Sequence, residues 1–142
     1  MDHVVYLDAS AKELDNLLSG QKTMIIRGAT GRKLPYGRVE QGDGLYFINN
    51  NAEGLVRAVG RVKSVLNSEK LSEEESAQLI ERHQDRLRLT EKQTARWAGK
   101  RYLVLIEVGD VKGIEPFRID KSGLGNMDDW LVVGEIGIVR VE

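Results

Sequence analysis

Two cations five residues apart, Lys22 and Arg27, bracket the short apolar run Thr23-Met24-Ile25-Ile26 that follows Gly20. Between Gly20 and Val39 the chain carries five basic residues, Lys22, Arg27, Arg32, Lys33 and Arg38, and no acid before Glu40. Such groups contact phosphates or the edges of a splayed base. The loop GATGRKLPYG, residues 28–37, lacks the spacing of a Walker loop, but its glycines permit a nest of backbone N–H groups that suits an anion. Tyr36 and Trp130 offer aromatic faces on which a single-stranded base stacks.

Each feature also has a plainer reading. Lys22 follows a helix C-terminus, where a cation complements the helix dipole by about 0.3–1 kcal/mol. Arg27 suits a surface ion pair, and Arg32, Lys33 and Arg38 suit a solvated basic loop. Tyr36 beside Pro35 suits packing over that loop, and Trp97 and Trp130 suit core or rim packing. The adjacent acids Asp128 and Asp129 suit water better than a cation.

Several chemistries are excluded by what is missing. The chain has no cysteine, hence no disulfide, no thiolate catalysis and no cysteine-based metal site. Its two histidines, His3 and His83, form no HxH or HxxxH spacing, so no metal is implied. No G-x-S-x-G, Walker or G-x-G-x-x-G signature occurs, so no cofactor is implied either. A net charge of −1 argues against a protein that wraps duplex DNA and predicts few phosphate contacts. The N-terminal stretch lacks a leader pattern and no run reaches membrane-spanning length, which leads us to expect a cytoplasmic protein with no membrane partner. At 142 residues, with 41% hydrophobic and 30% charged residues, a single domain spanning 1–142 is expected.

The elements that must position the cations follow from pattern. His3 to Leu7 reads as a strand, and Ser10 offers an N-cap for an amphipathic helix from Ala11 to Ser19, closed by Gly20. Strands are expected at Thr23–Arg27, Leu45–Ile48, Leu55–Leu66 with a bend at Gly60, Arg101–Val108, Ile114–Ile119, Trp130–Val133 and Ile136–Val141. Ser72 to Glu75 is a capping box opening a charged helix to about Leu87. Thr90 to Gln93 is a second one, opening a helix that ends at Gly99. Lys121 to Asn126 reads as loop. The fold class is α+β, with many short strands and few interspersed helices, which favours a closed or nearly closed barrel.

The order helix, Gly20-Gln21-Lys22-Thr23, strand ending in Arg27, basic loop, Gly42-Asp43, strand, then Ala58-Val59-Gly60-Arg61-Val62 resembles the ASCH domain, a branch of the PUA-like superfamily. The resemblance extends to Arg101–Glu107 as a later strand. It implies a PUA-like mixed β-barrel of six to seven strands with flanking helices, and a cleft beside the first helix lined by Lys22 and Arg27 and flanked by Arg32, Lys33 and Arg38. The ligand it implies is RNA, another single-stranded nucleic acid, or a modified nucleotide or nucleoside. One ASCH branch removes an acyl group from N4-acetylated cytidine with a lysine, a threonine and a glutamate. Residue by residue these fall on Lys22, Ile25 and, loosely, Glu91. Isoleucine has no hydroxyl to attack with, and Thr23, of the same strand parity, is the nearest substitute. A small hydrolase of a modified nucleoside or of RNA would then rely on Lys22, Thr23 and Glu91. Ile25 favours binding over catalysis. A third reading gives the acidic helix from Ser72 to Leu87 a protein partner. The oligomeric state is left open.

Overall fold

The structure, a computed structural model, describes residues 1–122 and 129–141. Strands β1 (Asp2–Leu7), β2 (Met24–Ala29), β3 (Gly44–Asn49), β4 (Leu55–Asn67), β5 (Tyr102–Ile119), β6 (Trp130–Gly134) and β7 (Arg140–Val141) form one sheet in the order β2-β5-β4-β3-β1-β6, with β7 on the far end of β5. Only β1 and β3 pair in parallel among the described strands; the other pairings are antiparallel. The sheet curls into a half-barrel, an α+β architecture. Its two ends, β2 and β6, approach each other without a ladder, and side chains bridge the seam.

Helix α1 (Glu13–Ser19) lies beside the seam, while α2 (Glu73–Arg82), α3 (Gln84–Leu87) and α4 (Glu91–Trp97) cover the outside of β2 and β5; α5 (Ile136–Val139) is one turn. This layering explains the near-continuous apolar runs of β2 and β5. Ile25, Val104 and Ile106 face the barrel interior with Phe47, Ala58 and Trp130. Met24, Ile26, Leu103 and Leu105 face outward into a second core with Leu79, Ile80, Leu87 and Trp97. A strand buried on both faces need not alternate.

Gly60 permits a close approach in the wall: a Cβ there would lie 2.8 Å from Val108 Cγ1. Around it the β4–β5 register shifts three times, which bends both strands. That bending keeps β5 continuous over 18 residues where the pattern suggested two strands separated at Gly109.

Other local expectations change for identifiable reasons. The first helix starts at Glu13, not Ala11, because Asp8 takes the Ser10 hydroxyl at 2.7 Å and the Ala11 N–H at 3.2 Å, and Lys12 is left-handed. Both capping boxes form: Glu75 N–H donates to Ser72 Oγ at 3.1 Å, and Gln93 N–H to Thr90 Oγ1 at 3.1 Å. The helix expected through Leu87 breaks at His83, and the short second piece carries the fully buried Leu87 inward. Ile136–Val139 turns helically instead of extending, so only Arg140 and Val141 join the sheet. Most of the expected Lys121–Asn126 loop, and Asp128, lie outside the described residues. Among the described residues no helix is long and apolar enough to cross a membrane.

Candidate functional site

Strand parity decides what β2 presents. Ile25 points into the barrel, and Arg27, two residues on, takes the same side at the barrel mouth. Arg27 is 7% exposed. Its Nη1 donates to Ile26 O at 2.7 Å, and its Nη2 crosses the seam to Tyr6 O on β1, also at 2.7 Å. Two carbonyls therefore fix the guanidinium. Its buried Nε has no hydrogen-bond partner among the described residues and faces Asp129 Oδ2 at 3.4 Å. Arg96, on α4, approaches the same carboxylate oxygen at 3.8 Å.

Lys22 has a different fate. It is 2% exposed, donates to Leu87 O, and sits 3.3 Å from Glu13 Oε2. Glu13 is buried too, and its other oxygen accepts the Asp8 N–H at 3.0 Å. Burial lowers the Lys22 pKa, the Glu13 carboxylate opposes that, and nearby Arg27 adds to the lowering. The expected dipole role is thus replaced by a buried ion pair joining α1, the segment leading into β2, and α3.

The basic loop distributes its charges outward. Arg32 lies over the rings of Tyr36 and Tyr102, at 5.7 and 5.5 Å, and those rings meet edge to face. The Tyr36 hydroxyl donates to Ser68 O, so Tyr36 is partly engaged in packing. Lys33 lines the cleft, whereas Arg38 is exposed and lines none of the three cavities described below.

Trp130 departs from its proposed role as a stacking face. It is fully buried and packs in the barrel core, and its Nε1–H donates to His3 Nδ1 at 3.1 Å. That bond leaves the His3 proton on Nε2, which donates to Asp43 Oδ2 at 2.8 Å. No face of Trp130 is open to a base. Burial lowers the His3 pKa against the opposing pull of Asp43.

Two cavities share the seam. The inner one, about 30 Å³, is walled by Tyr6, Asp8, Glu13, Asn50 and Gln93 together with Arg27, Arg96, Trp97 and Asp129. Burial would raise the Asp8 carboxyl, but the Ser10 hydroxyl, the N–H groups of Ala11 and Ser10, and Arg96 hold it below the usual range. The outer cavity, about 180 Å³, is walled by Arg27, Lys33, Arg96 and Lys100 with Asp129, Trp97, Gly28 and Leu34. Among the described residues that line it, four are cations and one is an acid, a setting for an anion. The inner cavity mixes acids, amides and a phenol, a setting for hydrogen bonding to a small polar group. A third groove, about 300 Å³, runs between α1 and β5 and includes Lys22 and Thr23.

The trio expected for hydrolysis is not assembled. Thr23 shares the third groove with Lys22, but Glu91 is exposed at the start of α4 and lines none of these cavities. Ile25 is fully buried in the barrel core. Arg96, Lys100, Gln93 and Glu13 joined the site without being singled out in the sequence. The run Arg96-Trp97-Ala98-Gly99-Lys100-Arg101, basic and aromatic at a helix end, was the available signal for two of them. Among the described residues no group of three or more His, Asp or Glu side chains is placed to hold a metal ion.

No family model and no curated protein matches the sequence. Solved structures do match in fold. The ASCH protein from Zymomonas mobilis aligns with a TM-score of 0.68 at 16% identity, covering 96% of this chain and 91% of that one. Two single-substitution variants of that protein align equally well, with TM-scores of 0.68 and 0.69 at 16% identity, each over 96% of this chain and over 94% and 92% of theirs. The chain therefore shares the fold of those ASCH proteins, the fold that the order of its motifs implied.

Proposed function

We propose that the protein is a binding module for RNA or a modified nucleotide, and that the ligand lies in the seam between β2 and β6. The observation that carries this reading is Arg27. Its guanidinium is fixed by two main-chain carbonyls, its unbonded Nε faces Asp129, and the residue lines a cavity together with Lys33, Arg96 and Lys100. A fixed guanidinium at the edge of a cation-lined space suits an oxyanion, with little ordering cost on binding. The ASCH resemblance supplies the class of ligand. Few cations line the site, so the footprint is short and the salt slope shallow.

The test is fluorescence anisotropy with a short labelled single-stranded RNA at low and moderate salt, on wild type and on Arg96→Ala. Saturable binding that weakens with salt and drops in the variant supports the reading. Absence of binding at micromolar protein by both the RNA and unlabelled modified nucleosides, the latter followed by calorimetry, removes it.

A hydrolase using Lys22, Thr23 and Glu91 draws less support. The Lys22 ammonium is already engaged by Leu87 O and Glu13, and Glu91 lies apart. Turnover of acylated cytidine abolished by Thr23→Ala would reinstate it.

A further inference from the structure

Asp129 stands where an anion belongs. It lines both seam cavities, as do Arg27, Arg96 and Trp97, so it belongs to the partition between them. Its Oδ2 lies 3.4 Å from Arg27 Nε and 3.8 Å from an Arg96 nitrogen, and the Arg27 Nε remains without a hydrogen bond. The carboxylate is therefore near both cations yet bonded well to neither, and 42% of its side chain is exposed. Its backbone, by contrast, is fixed, because the Tyr6 N–H donates to Asp129 O at 2.9 Å. A change of side-chain rotamer alone would take the carboxylate out of the seam.

We propose that the Asp129 carboxylate is an internal stand-in for a ligand phosphate, and that a phosphate ester displaces it to bind Arg27 Nε and Arg96. This rests on the binding reading above and names the chemistry of that site. The non-bridging oxygens on a tetrahedral phosphorus, two in a diester and three in a monoester, reach both guanidinium groups, which one planar carboxylate at the end of a short side chain does not. Displacement also joins the outer cationic cavity to the inner polar one. The phosphate would then sit at the partition, with a polar substituent of the ligand directed at Gln93 and Asn50. Asp129 acts as a competitor that raises the affinity threshold for weak anions.

The phosphate has two possible sources, a diester of RNA or the monoester of a free nucleotide. The test is calorimetric titration of the full chain, wild type and Asp129→Asn, with an unphosphorylated short RNA and separately with a nucleoside 5′-monophosphate. Asp129→Asn should tighten one of the two about tenfold and steepen its salt slope, because a competing charge has gone. The probe that gains identifies the source. Arg96→Ala added to Asp129→Asn should remove the gain. Wild-type binding with no tightening in Asp129→Asn, or a loss, overturns the stand-in and leaves the binding reading intact. No binding of either probe by wild type or variant overturns both. Asp129→Ser provides the same comparison should the asparagine variant prove unstable on melting.

Discussion

Lys22 and Arg27 are two buried cations on one short segment, and they differ in what they leave over. Lys22 meets a carbonyl and a carboxylate, both themselves buried. Arg27 meets two carbonyls and, among the described residues, leaves its Nε without a hydrogen bond, facing Asp129. Burial and charge are common to both; the remaining donor is not. A guanidinium has five N–H groups in a fixed fork, so it holds two strands together and still presents an edge, whereas an ammonium so engaged has little left to offer a ligand. The comparison separates a cation closed within the fold from one that keeps a donor for the proposed ligand.

The largest expected effect tests the closed pair. Lys22→Met leaves Glu13 buried without its cation, which costs about 3–5 kcal/mol of unfolding free energy. Lys22→Met with Glu13→Leu should recover most of that, since two apolar groups replace two desolvated charges. Urea unfolding of the three proteins checks it. A single variant as stable as wild type would erase the distinction between the two cations.

Next comes the open one. Arg27→Lys keeps the charge but cannot span Ile26 O and Tyr6 O while presenting a further donor. RNA affinity should fall by about 1.5–3 kcal/mol, with charged hydrogen bonds lost at the site. Anisotropy at fixed salt reads this, and a melting curve separates it from unfolding.

The same contrast explains what was legible in the chain. The capping boxes at Ser72 and Thr90 and the C-cap at Gly20 were plain, because caps are local. The half-barrel followed from the motif order. The break at His83 was not legible, because the reason for it is distant: Leu87 must turn inward to the Met24–Ile26 face, and its carbonyl receives Lys22. For Trp130 core packing was the plainer reading, but its hydrogen bond to His3 was not legible, since the two lie 127 residues apart. Arg27 is legible from its spacing to Lys22, whereas Arg96 is not. Its role depends on α4 crossing β2, and no periodicity encodes that. Basic residues clustered in sequence proved a weaker guide than cations converging from β2, the 28–37 loop and α4 on one cavity.

A third closed group behaves like Lys22, and pH tests it. The folded pKa of His3 lies below its ordinary 6.5, chiefly through burial. The unfolded chain therefore binds the His3 proton more readily than the folded one. Stability is at its full value above about 6.5 and falls as pH drops from there toward the folded pKa, by at most about 1.4 kcal/mol per pH unit for one proton. Protonating Nδ1 would also remove the acceptor for Trp130. Urea midpoints at pH 7 and pH 5.5 check this, and identical values would mean that the His3–Trp130 bond does not hold the folded state.

The smallest effect distinguishes the cleft from the basic loop. Arg38 and Arg96 are both exposed arginines of a largely polar surface, yet only Arg96 lines the seam and approaches Asp129. Arg38→Ala should change RNA affinity less than about twofold, a difference of about 0.4 kcal/mol, because a cation outside the site acts only through a screened field. Its salt slope should match that of wild type, whereas Arg96→Ala should flatten the slope by about 0.7, the loss of one phosphate contact to a single strand. Equal slopes for the two variants would mean that the ligand tracks the charge of the 28–39 segment, and that the converging geometry at Arg27 is incidental to binding.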